Sequence, residues 1–237
     1  MFYFDPLYLI LTIPPMLLAL YAQAKVKSTF MKYSQVPTMR GMSGADVAAA
    51  ILRTRRIHDV KIEPVEGTLS DHYDPTTKTL RLSPEVYGGR TVAAAGVAAH
   101  EVGHAIQHAE SYRFLTMRSN LVPLLGFTSK LALPTLMIGF VMMSAQSALG
   151  QPILLAGIAL FSVMVLFQLV TLPVEFDASR RALLAIQDGG IVDARELVGA
   201  KKVLSAAALT YVAAAVSSVA TLLYFLIRSG LLGGRRD

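Results

Sequence analysis

Cysteine is absent from all 237 residues. Disulfides, thiolate metal sites and a thiol nucleophile are thereby excluded, and any bound metal must be held by histidine and carboxylate. Charge is scarce as well. Only 16% of residues are charged and 54% are hydrophobic, whereas a soluble domain carries about 25% charged residues. Much of the chain is therefore expected in lipid. The formal net charge is +6. Its Lys and Arg residues are scattered, and no aromatic-basic interleaving accompanies them, which points away from nucleic acid and toward charge flanking membrane spans. No internal repeat or low-complexity tract occurs.

What is present in quantity is apolar sequence. Four stretches, 2–22, 131–149, 153–172 and 203–227, each approach the ~20 residues that cross a bilayer. The first is interrupted only by Asp5 and contains Pro14-Pro15, which should kink it. It has no basic leader and no small-residue cleavage site, so it reads as a retained anchor. Lys130 and Pro134 blur the start of the second stretch, and Leu121 to Phe127 are suited to the membrane interface. Gly150-Gln151-Pro152 reads as a tight turn that makes spans two and three a hairpin. Positive charge follows the first span and recurs in 173–202, while the stretch from Ser144 to Gln151 is uncharged. The positive-inside rule then places the polar region in the cytoplasm. Arg228, Arg235 and Arg236 run against that assignment.

The polar region, residues 23–120, has mixed character. Ser43 with Asp46 three residues on reads as a helix cap, and Val47, Ala48, Ile51 and Leu52 form an apolar face. Val60 to Val65 reads as a short strand, Asp74 to Thr77 as a turn, and Thr79 to Leu82 as a second strand by its alternation. Ser83-Pro84-Glu85 has the form of a helix start. Thr91 opens a helix expected over 91–111, through the sequence His100-Glu101-Val102-Gly103-His104.

Residues four apart share one helix face. His100 and His104 can thus present two imidazoles to one Zn²⁺. Glu101 lies about 100° round the helix and can reach a water on the metal without being a ligand. This is the H-E-x-x-H pattern of zinc peptidases, with Glu101 as general base. A solvated helix that happens to carry these residues is the bland alternative. It is disfavoured by the run Ala93 to Ala99, nearly all small, which suits a closely packed helix. A catalytic zinc has three protein ligands and an open position. The chain returns after span three, and Pro173 suits a helix start. From there Glu175 shares a small, apolar face with Ala178, Ser179 and Ala182, while Asp177 shares another with Arg180 and Arg181. Glu175 is the preferred third ligand. Asp177 is the alternative, or else supports a ligand from behind.

Asp71-His72-Tyr73-Asp74-Pro75, Leu80-Arg81-Leu82-Ser83, Ala98 through Gln107 and Glu175-Phe176-Asp177-Ala178-Ser179 together resemble the bacterial membrane family of neutral zinc metallopeptidases called YugP-like. The resemblance runs from about Phe2 to Ile227. It implies a mainly α membrane protein, with about four transmembrane helices and a zincin-like α+β core containing a small β-hairpin. It also implies peptidase activity with one Zn²⁺ per chain, without fixing a substrate. More distantly, Glu175 to Ser179 is similar to the ligand helix of gluzincin membrane proteases. Ser179 stands where that pattern has Asp, so Ser179 and Asp177 both qualify as support for a histidine ligand.

Other residues carry narrower expectations. His108 is misplaced for a third histidine ligand and suits hydrogen bonding behind the site. His72 and Tyr73 are candidates for substrate or oxyanion contact, and Arg180 or Arg181 for oxyanion stabilisation or pairing with Asp177. The Thr79 to Leu82 strand is a candidate edge for an extended peptide. Expected partners are a peptide or protein substrate, including membrane proteins, and the bilayer of a bacterial cell. Two rival functions exist: an intramembrane protease, and a non-catalytic scaffold with a structural zinc. The run Thr91 to Ala99 is too short to span, which argues against the first. A fully ligated metal would mark the second.

Overall fold

A long apolar segment in lipid can satisfy its backbone only by closing its own hydrogen bonds, so such segments become helices. The computed structural model describes residues 5–232. Residues 2–4 of the first expected span, together with Arg235, Arg236 and Asp237, lie outside the described residues. In chain order the elements are α1 (Pro6–Tyr33), α2 (Gly44–Thr54), β1 (Lys61–Pro64), β2 (His72–Asp74), β3 (Thr79–Leu82), α3 (Pro84–Tyr87), α4 (Val92–Ala109), α5 (Arg113–Ser144), α6 (Gly150–Asp188) and α7 (Ala194–Arg228). Helices α1, α5, α6 and α7 are each long and apolar enough to cross a membrane. The protein is mainly α-helical, with four candidate spans and a small sheet.

The chain divides into two compact units, one drawn from 1–21, 117–172 and 211–237, the other from 22–116 and 173–210. The first unit consists of the apolar helical segments. Its core contains Leu136, Leu154, Ile158 and Phe161. Glycine lets α5 and α6 approach closely there: a Cβ on Gly139 would lie 2.3 Å from the Leu154 nitrogen, the small-residue contact usual between helices in lipid. Ahead of α1, Asp5 accepts from the Tyr224 hydroxyl at 2.8 Å and from Arg228 Nε at 2.9 Å.

The second unit is the α+β part. Helix α2 starts with a full capping box in which Ser43 and Asp46 satisfy each other's backbone N–H groups. Its buried face, Val47, Ala48, Ile51 and Leu52, packs with the alanine-rich face of α4. Helix α4 is opened by Thr91, whose hydroxyl accepts from the Ala94 N–H at 3.3 Å. The sheet has the order β1-β3-β2. Leu80 and Leu82 of β3 are fully buried under α4.

Three sequence expectations are corrected, at the edge of β3, at Gly150 and at Pro173. The expected small hairpin is present, formed by β2 with β3 around the Asp74 turn, and β1 runs parallel to β3 on its other edge. The Asp74 carboxylate fixes that turn by accepting from the Thr76 N–H and the Thr77 hydroxyl. As the central strand, β3 has both edges paired, so the peptide-binding edge expected at Thr79 to Leu82 does not exist. Gly150-Gln151-Pro152 is the first turn of α6 rather than the turn before it. Proline fits there because the first helical N–H groups have no partner to lose. Pro173 falls inside α6 instead of starting a helix; spans tolerate the lost hydrogen bond when neighbours re-satisfy the backbone. Leu121 to Phe127 belong to the continuous helix α5.

Candidate active site

Helix periodicity puts His100 and His104 one turn apart on α4, with ring centroids 4.8 Å apart. Helix α6 brings Glu175 against them. Its Oε2 lies 3.2 Å from His100 Nε2 and 3.6 Å from His104 Nε2. One ligand atom from each of the three lies within 4.8 Å of the others. Glu175 is 2% exposed. Two imidazoles and one carboxylate are the donor types that suit zinc, and three protein donors leave room for a fourth ligand. The donor set therefore fits a zinc ion.

The close approach of α4 to α6 has a local cause. A Cβ on Gly103 would lie 2.4 Å from the Ala178 carbonyl oxygen. Gly103 and Ala178 are thus the contact that lets Glu175 reach the histidines, in line with the small-residue face expected on both segments.

Behind the histidines, each Nδ1 has a partner. His100 Nδ1 is 3.1 Å from Ser179 Oγ, and His104 Nδ1 is 3.1 Å from Gln107 Oε1. Gln107 is fully buried. Its amide nitrogen donates to the Val174 carbonyl at 2.8 Å and to Asp177 Oδ2 at 3.0 Å. Asp177 in turn accepts from Arg180 and Arg181, and Arg181 also reaches Glu110. Asp177 is therefore engaged on the far side of Gln107, and Glu175 is the carboxylate that meets the two Nε2 atoms. Gln107 was not singled out from the sequence. The available signal was its position three residues after His104, on the same helix face.

Glu101 is 8% exposed. Burial pushes its carboxyl up to about 7; the Glu175 and Asp71 carboxylates add to the rise, while the His100 and His72 imidazoles oppose it. A carboxyl poised near neutrality is suited to exchanging a proton.

The remaining sequence candidates are placed as follows. Tyr73 Oη is 2.8 Å from His108 Nδ1, and burial pushes the Tyr73 hydroxyl up to about 12. His72 is exposed and donates from Nδ1 to the Ser70 carbonyl at 2.7 Å. Neither Tyr73 nor His108 joins the three-donor cluster. Arg180 and Arg181 pair with Asp177, the second of the two roles considered for them.

The comparisons with known proteins bear on the whole chain. Residues 8–230 match the family described as "putative neutral zinc metallopeptidase". The chain is 49% identical over 221 residues to the "putative membrane protease YugP" of Bacillus subtilis (strain 168), covering 93% of this chain and 96% of that protein. No solved structure matches.

Proposed function

Given that the chain belongs to the family described as putative neutral zinc metallopeptidases, we propose that it hydrolyses peptide bonds at the His100, His104 and Glu175 cluster, with Glu101 as general base. The class is that of an H-E-x-x-H peptidase with a glutamate third ligand, one zinc per chain. The observation that carries this reading is the convergence of His100, His104 and Glu175, donors of the right type, with Glu101 on the same helix as the two histidines.

The residues divide the work as follows. His100 and His104 would hold the ion through Nε2, since each Nδ1 faces a partner on its other side. Glu175 would complete the set and offset part of the charge. When bound, zinc supplies acidification of a water and polarisation of the scissile carbonyl. Glu101 accepts the water proton on its carboxylate and returns it to the leaving amine as the C–N bond breaks. Burial serves this step, because a carboxylate whose pKa is lifted toward neutrality is a stronger proton acceptor in the first half of the reaction and holds the proton until the amine leaves.

The setting supports a site at the membrane surface rather than within the bilayer. Helix α4 is not one of the four helices long and apolar enough to span. Its cap at Thr91 and its end at Glu110 are polar. The cytoplasmic side is favoured by the charge pattern. Arg228, which runs against that orientation, is ion-paired with Asp5.

The test is hydrolysis of a fluorogenic peptide library by purified, zinc-loaded protein in detergent. Glu101→Gln should lower turnover by about 10²-fold or more while zinc content stays at one per chain. Wild-type turnover that survives Glu101→Gln unchanged, or zinc-loaded wild type that cuts nothing, would remove the reading.

A further inference from the structure

A histidine that binds metal through Nε2 must carry its proton on Nδ1, and what accepts that proton also fixes the ring plane. For His104 the acceptor is Gln107. Glutamine is ambiguous by itself, because its amide can turn either end toward the ring. Here the far end is committed. The two groups facing the amide nitrogen, the Val174 carbonyl and the Asp177 carboxylate, are both acceptors. Turning the amide over would place Oε1 against two oxygens and leave a fully buried NH₂ facing a nitrogen. Asp177 is kept an ionised acceptor by two cations, Arg180 and Arg181, and Arg181 is braced from its other side by Glu110 at the end of α4.

We infer that Gln107 is a positioning residue for the metal centre: it holds His104 in the Nδ1–H form with Nε2 turned toward the cluster, and the Asp177–Arg181–Glu110 chain fixes which way the amide points. The inference rests on the zinc reading of the cluster. It gives Asp177 a function distinct from ligation. The two histidines are supported differently. His100 leans on a hydroxyl that can rotate, whereas His104 leans on an amide that cannot turn. The rigid half of the site is thus the half tied to the charged surface network.

Zinc affinity is measured by chelator competition for the wild type, Gln107→Met, Gln107→Glu and Asp177→Ala, with Co²⁺ spectra and metal-free melting curves for each. Gln107→Met keeps the volume and removes the acceptor, so zinc binding should weaken about 10–100-fold, with an altered Co²⁺ spectrum and little change in metal-free melting. Gln107→Glu restores an acceptor for Nδ1–H and should recover part of that loss. Asp177→Ala takes away one of the two acceptors that hold the amide, leaving the Val174 carbonyl, and should weaken zinc several-fold, which carries the test if Gln107→Met does not fold. Wild-type zinc affinity and an unchanged Co²⁺ spectrum in folded Gln107→Met, or in Asp177→Ala where the former fails to fold, overturn the inference. Wild type that binds no zinc overturns the metal reading itself, a result recognisably different.

Discussion

Glu101 is held where burial opposes its charge, and the consequence can be read without any substrate. Its carboxyl stands near 7 in the folded chain instead of the ordinary 4.5. Between those two values the folded chain keeps a proton that the unfolded chain has released, so stability falls as pH rises through that window. The full effect is present above about 7 and absent below about 4.5, and its size is about 3 kcal/mol at most. Metal-free protein in detergent should therefore melt progressively lower from pH 4.5 to 7, and Glu101→Gln should flatten that slope. Equal slopes in the two proteins would show that Glu101 ionises freely. A bound cation favours the carboxylate, so zinc loading should also shrink the difference. At this scale the sequence was informative where spacing alone sets geometry. His100, Glu101 and His104 follow from one helix period. Glu175 followed from the face it shares with small residues. Gln107 was passed over because its meaning lies in two acceptors 67 and 70 residues away, which no local pattern reveals.

The two elements that build the site meet because both lack side-chain bulk. Gly103 on α4 faces the backbone of Ala178 on α6 with no room for a methyl group. Gly103→Ala must push the helices apart or shift α6 along itself. The expected cost is about 1–3 kcal/mol of stability, with a weakened zinc site because Glu175 moves with α6. Gly126, on α5, has open space where its Cβ would be, and Gly126→Ala should cost nothing and gain up to about 1 kcal/mol of helix propensity. Thermal melting and zinc content of the two variants decide the matter; equal behaviour would mean that the α4–α6 contact yields easily. The same elements show why some boundaries were legible and others not. Apolar length and the caps at Ser43 and Thr91 are local signals, and the helices they announce are present. The third strand was not legible because β2 is only three residues long. That short strand takes one edge of β3, and β1 pairs parallel on the other. Pro152 and Pro173 misled in opposite directions, since proline is at home in a first turn and is also tolerated inside a spanning helix.

For the molecule as a whole, orientation in the membrane is the property that charge counting left least settled. The positive residues after the first span and those in 173–202 share a side by the parity of four spans, and the 144–151 stretch is uncharged. Arg228 stood against this pattern. The structure pairs it with Asp5 and lays it over the Tyr224 ring at 5.8 Å, but the rule counts Lys and Arg whatever their acidic partners, so Arg228 still stands against the pattern and experiment has to decide. The lack of cysteine turns this argument into a clean experiment, because any introduced thiol is the only one in the chain. Ala148→Cys places a thiol at an exposed position between α5 and α6, and Glu66→Cys places one on the exposed loop after β1. In intact cells a membrane-impermeant maleimide should label Ala148→Cys and spare Glu66→Cys until the cells are permeabilised. Labelling of Glu66→Cys before permeabilisation would place the metal cluster outside the cytoplasm, and with it the protein substrates available to be cut.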